Sequence, residues 1–147
     1  MKQERTYVYL NTVRREMDGS TTTLFSGPGE LAIGPAAEFG GRSESLNPEE
    51  LFVAAVNSCL LMTLSYFLQR SKIEIESYRA VAEGQVRKDS DGLRFVEVVV
   101  HAKATAKDPS AAAKTSDLAG LAEKHCLVSR SLSCPVHYHL SVEVSEE

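Results

Sequence analysis

NPEELFVAAVNSCLLMTLSYFLQR, residues Asn47–Arg70, is the stretch around which this chain is organised. Asn47 offers a helix N-cap, Pro48 suits the first helical position, and Glu49 and Glu50 favour the positive end of a helix dipole. Between Leu51 and Leu68 there is no charged residue. A helix of this length spans about 35 Å, the diameter of a small domain. Apolar residues lie all around its axis rather than on one stripe, which predicts a helix enclosed by other elements. Cys59 falls near its middle. The stretch also reaches membrane-spanning length, but Asn57, Ser58, Thr63, Ser65 and the acidic entry argue against a span.

Upstream of the helix, SGPGELAIGPAAEFGGRSESL (Ser26–Leu46) is rich in Gly and Pro. It reads as a long irregular connection with a short strand at Leu31–Ile33, and loops this long in a compact domain tend to be functional or disordered. Before it, a strand is expected over Thr6–Val13, followed by Arg14 and Arg15. The turn signal Asp18-Gly19 and a return strand over Thr21–Phe25 complete a hairpin. Downstream, Tyr78, Ala80, Ala82, Gly84 and Val86 share one face of a strand, and Lys88–Gly92 turns the chain. Val96, Val98, Val100, Ala102, Ala104 and Ala106 then form an apolar face opposite Glu97, His101 and Lys103. Asp108-Pro109 opens a second helix that runs through Ala111, Leu118 and Leu121 towards Cys126. A last strand alternates Val136, Tyr138, Leu140, Val142 and Val144 against His137, His139, Ser141 and Glu143. The order β-β-loop-α-β-β-α-β predicts one α+β domain, residues 1–147, with antiparallel sheet.

A chain of 147 residues is long enough for its own core, and its 43% apolar and 24% charged content is that of a soluble globular protein. The net charge of −4, with no basic run, argues against nucleic-acid binding. MKQERTYVYL at the start is charged and carries no apolar signal core. Three cysteines, an odd number, without a secretion signal point to free thiols in a reducing compartment, hence a cytoplasmic location.

Two of those cysteines, Cys59 and Cys126, fall on the two long helices. Most buried free cysteines are small core hydrophobes, and that reading applies to both. Redox work would instead require one thiol held as thiolate and a second able to reach it after oxidation. Cys59 is mid-helix, so a cation must come from elsewhere, and Arg14, Arg15 and Arg42 are the candidates. Glu49 or Glu50 would orient that arginine. As plain structure, the arginines are solvated surface charges and the glutamates complement the helix end. His125, Cys126, Cys134, His137 and His139 lie within fifteen residues, a density that can bind zinc, although their spacing fits none of the common paired-ligand patterns. The Gly-rich loop lacks the Lys-Ser/Thr of a phosphate loop, and no serine is framed as GxSxG.

The run EFGG (Glu38–Gly41), then NPEELF (Asn47–Phe52), then Cys59 resembles the OsmC/Ohr family of thiol peroxidases. In that family a glutamate of the NPE motif stands ten residues before the first cysteine, as Glu49 does here. The second signature is similar too: Cys126-Leu127-Val128-Ser129 leads into the last strand, with Leu127 where the family usually has proline. The resemblance implies an intertwined homodimer, antiparallel sheets wrapped around long central helices, and two active sites at the interface. It implies that Cys59 attacks an organic hydroperoxide and becomes a sulfenic acid, that Cys126 closes a Cys59–Cys126 disulfide, and that an external dithiol reopens it. Glu49 would hold the arginine, which is near Arg15 in Ohr-like members and nearer Arg42 in OsmC-like ones. No metal, haem, flavin or other cofactor and no membrane partner is implied, and Cys134 would be dispensable. The alternatives are a non-peroxidatic ligand-binding protein of the same fold and a zinc-binding module.

Overall fold

The structure, a computed structural model, describes residues 4–27 and 29–146. It comprises two compact units, Met1–Leu51 and Phe52–Glu147.

The first unit carries a three-stranded antiparallel meander, β1 (Asn11–Arg15), β2 (Thr21–Phe25) and β3 (Glu30–Ile33). The expected first strand, Thr6–Val13, is displaced towards the turn. Hairpin register pairs Asn11 with Phe25 and Arg15 with Thr21, so a five-residue β2 leaves Tyr7 to Leu10 nothing to pair with. Arg14 and Arg15 are therefore strand residues rather than the start of the turn. After β3, Ile33 bridges Leu46, and a single 3-10 turn spans Ala37–Phe39. The EFGG run has a structural reason here. Gly40 ends that turn at φ 87°, a conformation that favours glycine. A Cβ on Gly41 would collide with the Pro35 carbonyl, because its N–H reaches back to Ala36 O at 3.0 Å.

Helix α1 (Pro48–Arg70) begins in the first unit and runs on into the second. Its start is a reciprocal cap. Asn47 Oδ1 accepts from the Glu50 backbone N–H at 2.8 Å, and Asn47 Nδ2 donates to Glu50 Oε1 at 3.1 Å. One chain alone does not enclose the helix expected to be covered on all sides. Val56, Leu60, Leu64 and Leu68 form its one buried stripe, while Met62 and Tyr66 are exposed.

The second unit is a sheet of β4 (Ile75–Asp89), β5 (Gly92–Ala106) and β6 (Val136–Val144), with α2 (Pro109–His125) and the short α3 (Leu127–Arg130) between β5 and β6. β4 and β5 form the expected antiparallel hairpin. β6, however, lies parallel to β5, from Val98↔Val136 to Ala106↔Val144, so this sheet is mixed. The reason is the crossover: α2 carries the chain back along the sheet, and a strand returning that way enters at the same end as β5. Asp108 caps α2, accepting from the Ala111 N–H at 2.8 Å. The core gathers the α1 stripe, Val98, Val100 and Ala102 of β5, Ala122 of α2, and Tyr138 of β6. One strand position is cut for the helix: a Cβ on Gly84 would meet Val53 Cγ2 and Phe95 Cε1, each at 2.7 Å.

Candidate functional site

Cys59 stands on α1 immediately before Leu60 and three residues after Val56, beside the buried stripe, and is half-buried. Cys126 is fully buried. Rather than ending α2, it occupies the break between two helices: α2 stops at His125, Cys126 adopts ψ 113°, and α3 starts at Leu127. That break sets the two thiols near one another, each affecting the other's ionisation, and both are free.

Their surroundings make them unlike. Burial raises the Cys59 pKa, but the Val128 backbone N–H, the Cys126 thiol, the Thr63 hydroxyl and the Leu127 backbone N–H all favour the thiolate and outweigh it. The net effect holds Cys59 below the ordinary thiol range. Cys126 goes the other way. Burial pushes it up, the Ser129 hydroxyl and N–H oppose this, and the charge on Cys59 pushes it up further. The two thiols are shifted in opposite directions, Cys59 towards the thiolate and Cys126 away from it, an asymmetry that suits a thiol oxidation followed by disulfide closure.

Two hydroxyls attend the pair that the sequence reading did not single out. Thr63 Oγ1 is 3.9 Å from Cys59 Sγ and donates to the Cys59 carbonyl at 2.7 Å. Ser129 Oγ donates to Cys126 Sγ at 3.2 Å. Their signal was spacing, a threonine four residues after Cys59 and a serine three after Cys126. Met62, Thr63, Tyr66 and Phe67 of α1 and His125 of α2 line a groove of ≈ 390 Å³ next to the pair. Its lining is mostly apolar.

The charged candidates lie in the first unit. Glu50 is consumed by the helix cap, whereas Glu49 has a buried carboxylate oxygen, Oε2, that accepts no hydrogen bond among the described residues. Arg14 pairs with Glu16. Arg15 and Arg42 are exposed, and among the described residues neither forms an ion pair with Glu49. The cysteines are thus brought together, and the Glu49–arginine pair is not.

The residues weighed for zinc do not converge. His101 and His139 stack across β5 and β6 with ring centroids 5.2 Å apart, His137 faces Glu97 at 3.7 Å, and His125 packs on Phe67. Among the described residues no group of three or more His, Cys, Asp or Glu is placed to hold a metal ion.

Residues 40–141 match the family model of OsmC-like proteins. The chain belongs to the OsmC-like family. It is 26% identical over 125 residues to the uncharacterised protein YmaD of Bacillus subtilis, 83% of each chain being covered. The OsmC-like protein VCA0330 of Vibrio cholerae superposes with a TM-score of 0.79 at 20% identity, covering 92% of this chain and 100% of that one. The organic hydroperoxide resistance protein OsmC of Legionella pneumophila gives 0.72 at 23% identity, covering 96% and 100%. These likenesses establish the OsmC-like α+β fold of the chain, and Cys59 and Cys126 both lie within the matched region.

Proposed function

We propose that this OsmC-like protein is a cytoplasmic thiol peroxidase that reduces organic hydroperoxides to alcohols as part of a stress response. The observation that carries this reading is the pairing of two free thiols at the helix break, Cys59 shifted towards the thiolate and Cys126 away from it. In the first step the Cys59 thiolate attacks the terminal oxygen of ROOH. An S–O bond forms, the O–O bond breaks, and the alkoxide leaves as ROH with a proton. Cys59 becomes a sulfenic acid. Cys126 then displaces its hydroxyl as water to close the disulfide, which an external dithiol reduces.

An arginine would steady both the thiolate and the departing alkoxide, and a carboxylate would aim it. Glu49 suits this role, with a buried, unengaged oxygen, whereas Glu50 is exposed and has its Oε1 held by the Asn47 cap. It stands ten residues before Cys59 on α1, about 15 Å along the axis, so it acts on the sulfur only through a guanidinium. Arg15 is our assignment and Arg42 the alternative, Arg14 being engaged by Glu16. A second copy of the chain supports the same scheme, since α1 has uncovered apolar surface. An idle thiol would carry an ordinary or raised pKa, so the downward direction at Cys59 favours the peroxidase over a ligand-binding protein with unused cysteines.

Peptide mass spectrometry after one equivalent of an organic hydroperoxide tests the scheme. The wild type should lose two thiols and gain an intrachain Cys59–Cys126 disulfide. Cys126→Ser should stop at a Cys59 sulfenic acid and overoxidise with excess peroxide, while Cys134→Ser should turn over normally with a dithiol. Peroxide consumption with Cys59 still reduced would refute the assignment.

A further inference from the structure

We propose that Ser129 is the positioning residue for disulfide closure: its hydroxyl holds the Cys126 sulfur in place and steadies the negative charge that sulfur carries as it attacks. The role rests on the reading of Cys59 and Cys126 as a reacting pair. Cys126 is fully buried, so water cannot solvate its thiolate, and any donor must come from the protein. Ser129 Oγ supplies one at 3.2 Å. The donor is held by its own short helix, where Arg130 N–H bonds to Cys126 O at 3.0 Å and Ser131 Oγ bonds to Leu127 O at 2.8 Å. Cys134 is almost as buried, yet no side-chain donor among the described residues is bonded to its sulfur. The hydroxyl therefore marks Cys126 as the sulfur fitted to ionise.

In the closing step Cys126 gives up its proton, and its sulfur lone pair forms the S–S bond to Cys59. The S–O bond of the sulfenic acid breaks, and the leaving hydroxide takes up the proton as water. Two electrons pass from the Cys126 sulfur, and Ser129 neither gains nor loses a proton. Before oxidation the same contact has a second consequence. With the Ser129 hydroxyl engaging the Cys126 sulfur, the Cys126 S–H is left to donate to the Cys59 thiolate.

Ellman's reagent reads this closure without any peroxide. In a Cys134→Ser protein the first thionitrobenzoate is released when Cys59 forms a mixed disulfide. The second leaves when Cys126 displaces it and closes Cys59–Cys126. A hydrogen bond to a charged group is worth roughly 1.5–3 kcal/mol. Ser129→Ala should therefore lower the ratio of second to first release rates by about tenfold or more at neutral pH, and move the pH midpoint of the second release upward. Ser129→Thr, which keeps the hydroxyl, should restore most of the ratio. An unchanged ratio and midpoint in Ser129→Ala would overturn the proposal. So would a Ser129→Thr protein no better than the alanine variant, since the loss would then be one of packing. A Ser129-dependent second release in a protein that consumes no hydroperoxide sinks the peroxidase reading alone. Hydroperoxide turnover with a release ratio indifferent to Ser129 sinks the positioning role alone.

Discussion

A thiol becomes a nucleophile by being ionised, and at Cys59 that depends on small neutral donors more than on any full charge within its own unit. Two backbone amides, a thiol and a threonine hydroxyl together overcome the burial that opposes them. The Thr63 contact is the one a substitution can remove without moving the backbone. Thr63→Val keeps the shape and drops the hydroxyl, so the Cys59 pKa should rise, and its alkylation by iodoacetamide just above neutrality should slow by less than the about fivefold of a full ~1 kcal/mol hydrogen bond, because the hydroxyl is 3.9 Å from the sulfur and also donates to the Cys59 carbonyl. Alkylation rates measured across pH check this; an unchanged midpoint would mean the donors on α3 suffice. The cysteine pair was legible only through the family resemblance, carried by the NPE-to-Cys59 spacing and by Cys126 ahead of the last strand; the residues by themselves read equally as core thiols. The roles of Ser129 and Thr63 were not: nothing in the periodicity of α2 announces that the helix breaks at Cys126 and brings Ser129 onto its sulfur, and a threonine one turn after Cys59 reads as an ordinary helix position.

At the scale of elements, the second unit is a sheet whose inner face is shaped to receive helices. Gly84 is the clearest case. It sits with Tyr78, Ala80 and Ala82 on the face the sequence pattern identified, whereas Val86, expected there too, lies past a register shift at Gln85/Val86 and is exposed; nor could the pattern say why a strand should weaken itself with glycine. The contacts answer: Val53 of α1 and Phe95 of β5 occupy the space a Cβ would take, next to Phe52 stacked on Phe95 at 4.3 Å. Gly84→Ala should cost roughly 1–3 kcal/mol as overpacking, read as a lower midpoint in urea, and an unchanged midpoint would show that Val53 swings aside. Across the same sheet Tyr78 and Tyr138 share a hydroxyl hydrogen bond of 2.7 Å. Burial raises the pKa of both phenols, and each partner's bond lowers Tyr78 but raises Tyr138 further. A raised folded pKa favours the neutral form, so this stabilisation is complete below the ordinary phenol value of 10.0 and is lost as pH rises through the folded values. Thermal melts should therefore fall more steeply between pH about 9 and 11 for the wild type than for Tyr78→Phe/Tyr138→Phe. The double variant removes both partners and leaves neither hydroxyl stranded. Equal slopes would remove the tyrosines as the cause. The hairpin of β4 and β5 and the caps of both long helices were readable from local chemistry. The parallel placement of β6 was not, since strand direction is decided by where the crossover helix delivers the chain.

For the whole molecule, the decisive quantity is the surface that α1 leaves uncovered. An ordinary surface helix sets charged residues opposite its buried stripe. Here the face away from Val56, Leu60, Leu64 and Leu68 carries Ala55, Ser58, Met62, Ser65 and Tyr66, all exposed and none charged. Met62 is 61% exposed and Tyr66 51%. The helix is also long and apolar enough, by length and composition, to cross a membrane, yet a lipid-facing helix would not need a buried stripe packed on a sheet that alternates apolar and polar residues. Tyr7, Val8, Tyr9 and Leu10 add a second exposed apolar run in the first unit. Contiguous apolar surface of this kind marks an interface. A second copy of the chain is the occupant expected, because a two-fold contact covers the same patch on both chains at once. Sedimentation equilibrium at micromolar protein should give roughly twice the chain mass of 16.1 kDa. Met62→Lys, which sets a charge on that face, should raise the dissociation constant, with monomer appearing first at the lowest protein loading. Detergent-dependent solubility of the wild type would point to lipid instead. A wild type that sediments as a folded, soluble monomer at every concentration would remove the second copy from the scheme, and with it the shared active site.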